Sequence, residues 1–145
     1  MTPFLNKLNE AGVRYVVIGG HALRASGMPR STMDWDRCIP PRDPDNFAKL
    51  NGILDEFDEL HAVPLGPKGE HFVQTYQLPY GVVQFHLRPI GLPDFDELEG
   101  RASAAEEAGV RFRVASVTDL LAAKRAVNRP KDQDDILFLE KKIDH

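Results

Sequence analysis

A single cysteine, Cys38, in 145 residues leaves no partner for an intramolecular disulfide and no CxxC pair for a metal or redox centre. Long apolar runs are also missing, and nothing approaches the roughly 20 residues that a membrane span needs. The opening MTPFLNKLNEAGVRY carries neither the apolar stretch nor the small-residue cleavage site of a secretory signal. Charge of one sign is not in large excess. Eighteen basic against 22 acidic residues give a formal net charge of −4, which weighs against a surface built throughout for duplex DNA. No repeat, low-complexity tract or long linker divides the chain. What is present is a globular composition, 42% hydrophobic and 28% charged, at a length usual for one domain. A single domain over residues 1–145 is expected, cytoplasmic and with no membrane partner.

The pattern of elements points to an α/β or α+β class, a mixed β-sheet flanked by helices. Arg14-Tyr15-Val16-Val17-Ile18 reads as a buried strand ending at Gly19-Gly20, with a short helix from His21 to about Ser26. Residues 31–39 form a second strand, closed by Pro40-Pro41. Asp43 and Pro44 look like the cap and first position of a helix over 44–59, with Phe47, Leu50, Leu54 and Phe57 on one face. Strands over 70–78 and 81–88 flank a Pro79-Tyr80-Gly81 turn as an antiparallel hairpin. Residues 94–108 are expected to be helical, followed by a strand over 110–115. Ser116 with Asp119 caps a helix over 118–127, and a last helix starts near Lys131, with Ile136, Leu139 and Ile143 on one face.

The stretch that carries chemistry runs from Gly19-Gly20-His21 to Asp34-Trp35-Asp36. Side chains two apart on a strand share a face, with Cα atoms roughly 6.5–7 Å apart. Asp34 and Asp36 thus present two carboxylates side by side, an arrangement that needs positive charge between them. A hard divalent cation such as Mg²⁺, shared with substrate phosphates, supplies it. The double glycine before a helix offers the complementary half, because backbone N–H groups can approach a phosphate closely there. Taken singly, an alternating acid pair is commonly a solvated strand face, and Gly-Gly is commonly a turn. Their order in one chain is far more specific.

In that order the sequence resembles the nucleotidyltransferase superfamily, with its polymerase-beta-like fold. The wording Arg30-Ser31-Thr32-Met33-Asp34-Trp35-Asp36 is similar to that of a small bacterial branch, the AbiEii-type nucleotidyltransferases of toxin–antitoxin systems. So is the C-terminal run from Asp119 through Lys124 to Asp135-Ile136. The resemblance covers about residues 14–140. It implies a nucleotidyltransferase-like fold with C-terminal helices, and transfer of a nucleoside monophosphate from a nucleoside triphosphate to a hydroxyl on protein, RNA or a small molecule. It further implies Mg²⁺ on Asp34 and Asp36, and nucleotide contacts from Gly19, Gly20, His21, Arg30 and Lys124. The alternative it leaves open is a catalytically impaired nucleotide-binding or partner-binding module of a toxin–antitoxin-like system.

One position departs from that pattern. The superfamily places a third acid on a later strand, and here the strand over 82–87 offers Gln84 where the branch tends to have Asp. An amide cannot take a proton near neutral pH. His86 shares its face and has an ordinary pKa near 6.5, so it is either a general base or a satisfied surface histidine. Lys124 is either a phosphate contact or a lysine lying along an apolar edge. Asp132 is read as structural, paired with Arg129 or Lys124. Cys38 is expected in the core.

Overall fold

The computed structural model describes residues 2–29, 34–57 and 60–143, Asp34 by its backbone alone. The chain begins with α1 (Thr2–Ala11), which buries Phe4, Leu5 and Leu8. There follow β1 (Val16–Val17), α2 (Gly19–Ala25), β2 (Asp34–Cys38) and α3 (Pro44–Leu54). A hairpin of β3 (Val73–Leu78) and β4 (Gly81–His86) leads to α4 (Phe95–Arg101). A second hairpin, β5 (Ser103–Glu107) and β6 (Val110–Val114), precedes α5 (Val117–Val127), a 3-10 turn (Pro130–Asp132) and α6 (Gln133–Ile143).

The six strands make one sheet in the order β3-β4-β2-β1-β6-β5. Both hairpins are antiparallel, and so is β1 against β2, whereas β2–β4 and β1–β6 run parallel. The mixed sheet flanked by helices agrees with the expected class. Parallel pairing of β2 and β4 sets Asp36 opposite Gln84 and Cys38 opposite His86. Val83 and Phe85, of the other parity, are buried in the core, where Phe85 meets Phe4 of α1. Cys38 is buried, and burial pushes its thiol up to about 12.

Local chemistry explains the helix starts. Asp43 accepts from the Asn46 backbone N–H, with Pro44 at the first helical position, and Ser116 accepts from the Asp119 N–H. The helix expected over 44–59 ends at Leu54. Phe57 lies beyond it in a turn, edge-on to Tyr80.

The helix expected over 94–108 is corrected. It stops at Arg101, and Ala102 is already extended (φ −68°, ψ 147°). Ser103–Glu107 instead pairs with β6 through five registered positions. Ala108 and Gly109 both have positive φ, 49° and 80°, the two-residue hairpin geometry that matches strand twist. The helix preference of Ala-Ala-Glu-Glu is a few tenths of a kcal/mol per residue, and the paired strand outweighs it. No helix among the described residues is long and apolar enough to cross a membrane.

On the face of β2 opposite Asp36, Trp35 and Arg37 meet α2. His21 is fully buried, edge-on to Trp35 with centroids 4.8 Å apart and tilted on Phe112 at 5.0 Å. Its Nε2 lies 3.0 Å from Glu107 Oε2, and Arg24 donates to the same carboxylate at 3.1 Å. Nδ1 is buried without a hydrogen-bond partner among the described residues. An imidazolium would leave a donor stranded there, so the neutral ring donating from Nε2 is the form that fits. Burial, then the charge of Arg37, holds His21 down to about 4.

An unfolded histidine takes its proton near 6.5, and folded His21 near 4. The stability tied to this neutral ring is therefore complete above pH 6.5 and is lost as pH falls towards 4. Denaturant unfolding should show a loss of about 2 kcal/mol from this group between pH 7 and 5, which His21→Leu should remove. An NMR titration of His21 with its midpoint near 6.5 would overturn this account.

Candidate functional site

A cleft of about 700 Å³ opens on the sheet face that carries Asp36. Its floor is a set of cross-strand neighbours: Asp36 on β2, Gln84 and His86 on β4, Val73 and Thr75 on β3. Gly19 and Gly20 border it where β1 passes into α2, and α5 and α6 supply the opposite wall through Lys124 and Asp135. The strand face, the glycines and the C-terminal helices thus converge on one space.

Gly19 is the tightest point. Its φ is +69°, and a Cβ there would overlap the Asp36 carboxylate. Both facts favour glycine, one through backbone conformation and the other through space. The Ile18 N–H donates to the Asp36 carbonyl at 3.1 Å, which carries the β1–β2 ladder up to the glycine. Asp36 Oδ1 lies 2.9 Å from His86 Nε2. A carboxylate accepts only, so it assigns the ring proton to Nε2 and leaves Nδ1 with its lone pair.

Lys124 lines the cleft, but its ammonium is bonded to Asp132 at 3.2 Å and to Asp135 at 3.1 Å. Asp132 is buried and also accepts from Arg129 Nε at 2.8 Å; Arg129, then Lys124, holds its carboxyl down to about 2. Both partners expected for Asp132 are present. Asp135, part of the C-terminal run that carries the resemblance but given no role by it, lines the cleft, as do Thr75 and Arg88, which no sequence pattern marks. The parity of Thr75 relative to Gln84 follows from the β3–β4 register, which a turn signal alone does not fix.

Two expected contacts fare differently. The His21 side chain leaves the cleft and is enclosed among Trp35, Phe112 and Glu107, so only its backbone borders the glycines. Arg30, Ser31, Thr32 and Met33 lie outside the described residues, as does the side chain of Asp34. Among the described residues no three His, Cys, Asp or Glu side chains cluster as a metal cage. Asp36 and the Gln84 amide oxygen suit a magnesium ion that brings its own phosphate and water ligands. They do not suit one held by protein alone.

No family model and no curated protein sequence matches this chain. Solved structures do. TM1012 from Thermotoga maritima, assigned as a nucleotidyltransferase, superposes with a TM-score of 0.64 at 15% identity, over 95% of this chain and 88% of that one. The antibiotic-resistance factor ANT(2'')-Ia in solution gives 0.59 at 16% identity, over 93% and 77%. The same protein in complex with adenylyl-2''-tobramycin gives 0.51 at 18%, over 93% and 82%. An antigenic nucleotidyltransferase-like protein from Paracoccidioides brasiliensis gives 0.55 at 19%, over 95% and 72%. Four such superpositions over nearly the whole chain show that it carries the nucleotidyltransferase fold.

Proposed function

We propose that this chain transfers a nucleoside monophosphate from a nucleoside triphosphate to an acceptor hydroxyl. The observation that carries the reading is the contact of Gly19 with the Asp36 carboxylate, beside Gln84 and His86 in one cleft. That contact puts the glycines suited to a phosphate next to the acid suited to its counter-ion. The acceptor oxygen attacks the α-phosphorus, the bond to the bridging oxygen breaks, and pyrophosphate leaves. Backbone N–H groups at Gly19 and Gly20 would hold phosphate oxygens. Asp36, with Asp34 on the same strand parity, would hold Mg²⁺, which supplies charge neutralisation for the triphosphate. His86, oriented by Asp36, is the group able to take the acceptor proton at Nδ1; Gln84 is not. Cytoplasmic action, where nucleotide and magnesium are abundant, belongs to the same proposal.

A second reading is favoured by Gln84. With an amide opposite Asp36, nucleotide binding can outlast turnover, leaving a catalytically impaired nucleotide-binding or partner-binding module. The placement in the AbiEii-type toxin–antitoxin branch belongs to this reading and rests on the wording of residues 30–36 and the C-terminal run.

Calorimetry with ATP, with and without Mg²⁺, followed by mass spectrometry for transferred AMP, tests both. Binding should require Mg²⁺ and should be lost in Asp36→Ala; equal affinity without metal would sink the metal role. Gly19→Ala should weaken nucleotide binding at least tenfold, because the added methyl displaces the Asp36 carboxylate. General-base help is worth about 10²–10⁴-fold, so His86→Ala should lower any transfer by that order while ATP affinity holds. Gln84→Asp should raise Mg²⁺ affinity and transfer together. A robust wild-type rate that Gln84→Asp lowers would place the missing acid elsewhere.

A further inference from the structure

Exposed large apolar side chains are unevenly spread over this molecule. Among the described residues there are six, and four of them line one cleft: Phe72 (53% exposed), Val73, Ile90 (70%) and Val127. The other two, Leu137 and Ile143, lie on α6. Single exposed apolar residues need no explanation, but a cluster at the mouth of a pocket marks a binding surface.

The charges of the same cleft point one way. Two of its three described carboxylates are engaged by cations, Asp132 by Lys124 and Arg129 and Asp135 by Lys124. The third, Asp36, accepts a hydrogen bond from His86 and is the acid assigned above to Mg²⁺. Arg88 and Lys131 also line it, are exposed, and have no acidic partner among the described residues. A ligand bearing several ammonium groups would find these acids already assigned and two further cations in the lining. A ligand with an apolar body and a negative group would find both complements. About 700 Å³ is the size of a small-molecule pocket, and a nucleotide must share it.

We propose that the mouth of this cleft takes a small amphipathic anion, with its apolar body on Phe72, Val73, Ile90 and Val127 and its negative group towards Arg88 and Lys131. Resting on the transfer reading above, this ligand is the hydroxyl acceptor: its oxygen bonds to the α-phosphorus, pyrophosphate leaves, and the hydroxyl proton passes to His86. The acceptor class then differs from that of ANT(2'')-Ia, whose complex holds adenylyl-2''-tobramycin, a derivative of a polycationic compound.

The probe is 8-anilinonaphthalene-1-sulfonate, an apolar aromatic anion whose fluorescence rises on burial, titrated into the folded full chain alongside tobramycin and ATP with Mg²⁺. The wild type should bind the probe at one site. Ile90→Asp and Phe72→Ala, both on exposed side chains and checked for native circular dichroism, should each weaken it at least tenfold. Arg88→Gln should weaken it several-fold. ATP affinity should change less than twofold in the two rim variants, and tobramycin at millimolar concentration should neither displace the probe nor become adenylylated. Probe binding untouched by the rim variants overturns the proposal, as does displacement by tobramycin. An equal loss of ATP and probe affinity in the rim variants also overturns it, because the rim would then hold the nucleobase. Rim-dependent probe binding without any ATP binding upholds the amphipathic-anion pocket and sinks the transfer reading instead.

Discussion

The cleft depends on one close approach, that of the Asp36 carboxylate to the backbone of Gly19. Three elements have to agree before it forms. β1 must end after two residues so that the chain can turn at positive φ, β2 must pair with it antiparallel, and α2 must begin at once. The Ile18 N–H bond to the Asp36 carbonyl ties the turn to the strand, so the glycine and the acid cannot drift apart without breaking the ladder. The backbone proposed to bind phosphate and the carboxylate proposed to bind the metal are held together by sheet hydrogen bonds, not by a flexible loop. Rigid support of this kind is what a transfer site needs, since small misplacements of reacting groups are costly in rate.

The reverse face of β2 keeps the arrangement in register. Residues of alternating parity do opposite work: Asp36 and Cys38 on one side, Trp35 and Arg37 on the other. Arg37 is fully buried, donates to the Asp36 carbonyl at 3.1 Å, and lies beside the Trp35 ring. Its Nη2 is without a hydrogen-bond partner among the described residues, and burial brings its pKa down to about 10, so it stays charged at neutral pH. Burial first, and then this neighbour, keeps His21 neutral. A second buried cation beside Arg37 would have no compensating charge beyond Glu107, which Arg24 already engages. The histidine after the two glycines is thus a packing residue. Its position next to them in the chain suggested a ligand contact because adjacency in sequence does not say which way a side chain turns.

The central features were legible because they rest on short-range rules. Asp43 with Pro44, and Ser116 with Asp119, announce α3 and α5 through capping that needs no tertiary partner. The shared face of Gln84 and His86 follows from strand parity, and the parallel pairing of β4 with β2 brings that face to Asp36. What was not legible depends on long-range pairing. Ser103–Glu107 has the composition of a helix and becomes a strand only because β6 lies beside it. α1, by contrast, carries a local signal, Phe4, Leu5 and Leu8 at helical spacing. Asp135 enters the cleft wall because α6 packs on α5, and no local pattern distinguishes it from Asp134.

The same pairing decides what the site lacks. A one-residue slip of β4 would put Val83 or Phe85 opposite Asp36, and both are locked in the core by burial. The amide of Gln84 is therefore fixed in the row that contains Asp36 and Thr75. Asp132 and Asp135, the other described acids of the cleft, are already paired, both with Lys124 and Asp132 with Arg129 as well. A divalent ion placed against Asp36 keeps half of its charge unbalanced by the described side chains that line the cleft. A triphosphate brings the missing negative charge, and the ion in turn offsets the repulsion between the phosphates and Asp36. On the proposed transfer reading, metal and nucleotide would bind as one unit, each poorly alone, because an amide stands where an acid would add to the ion's site.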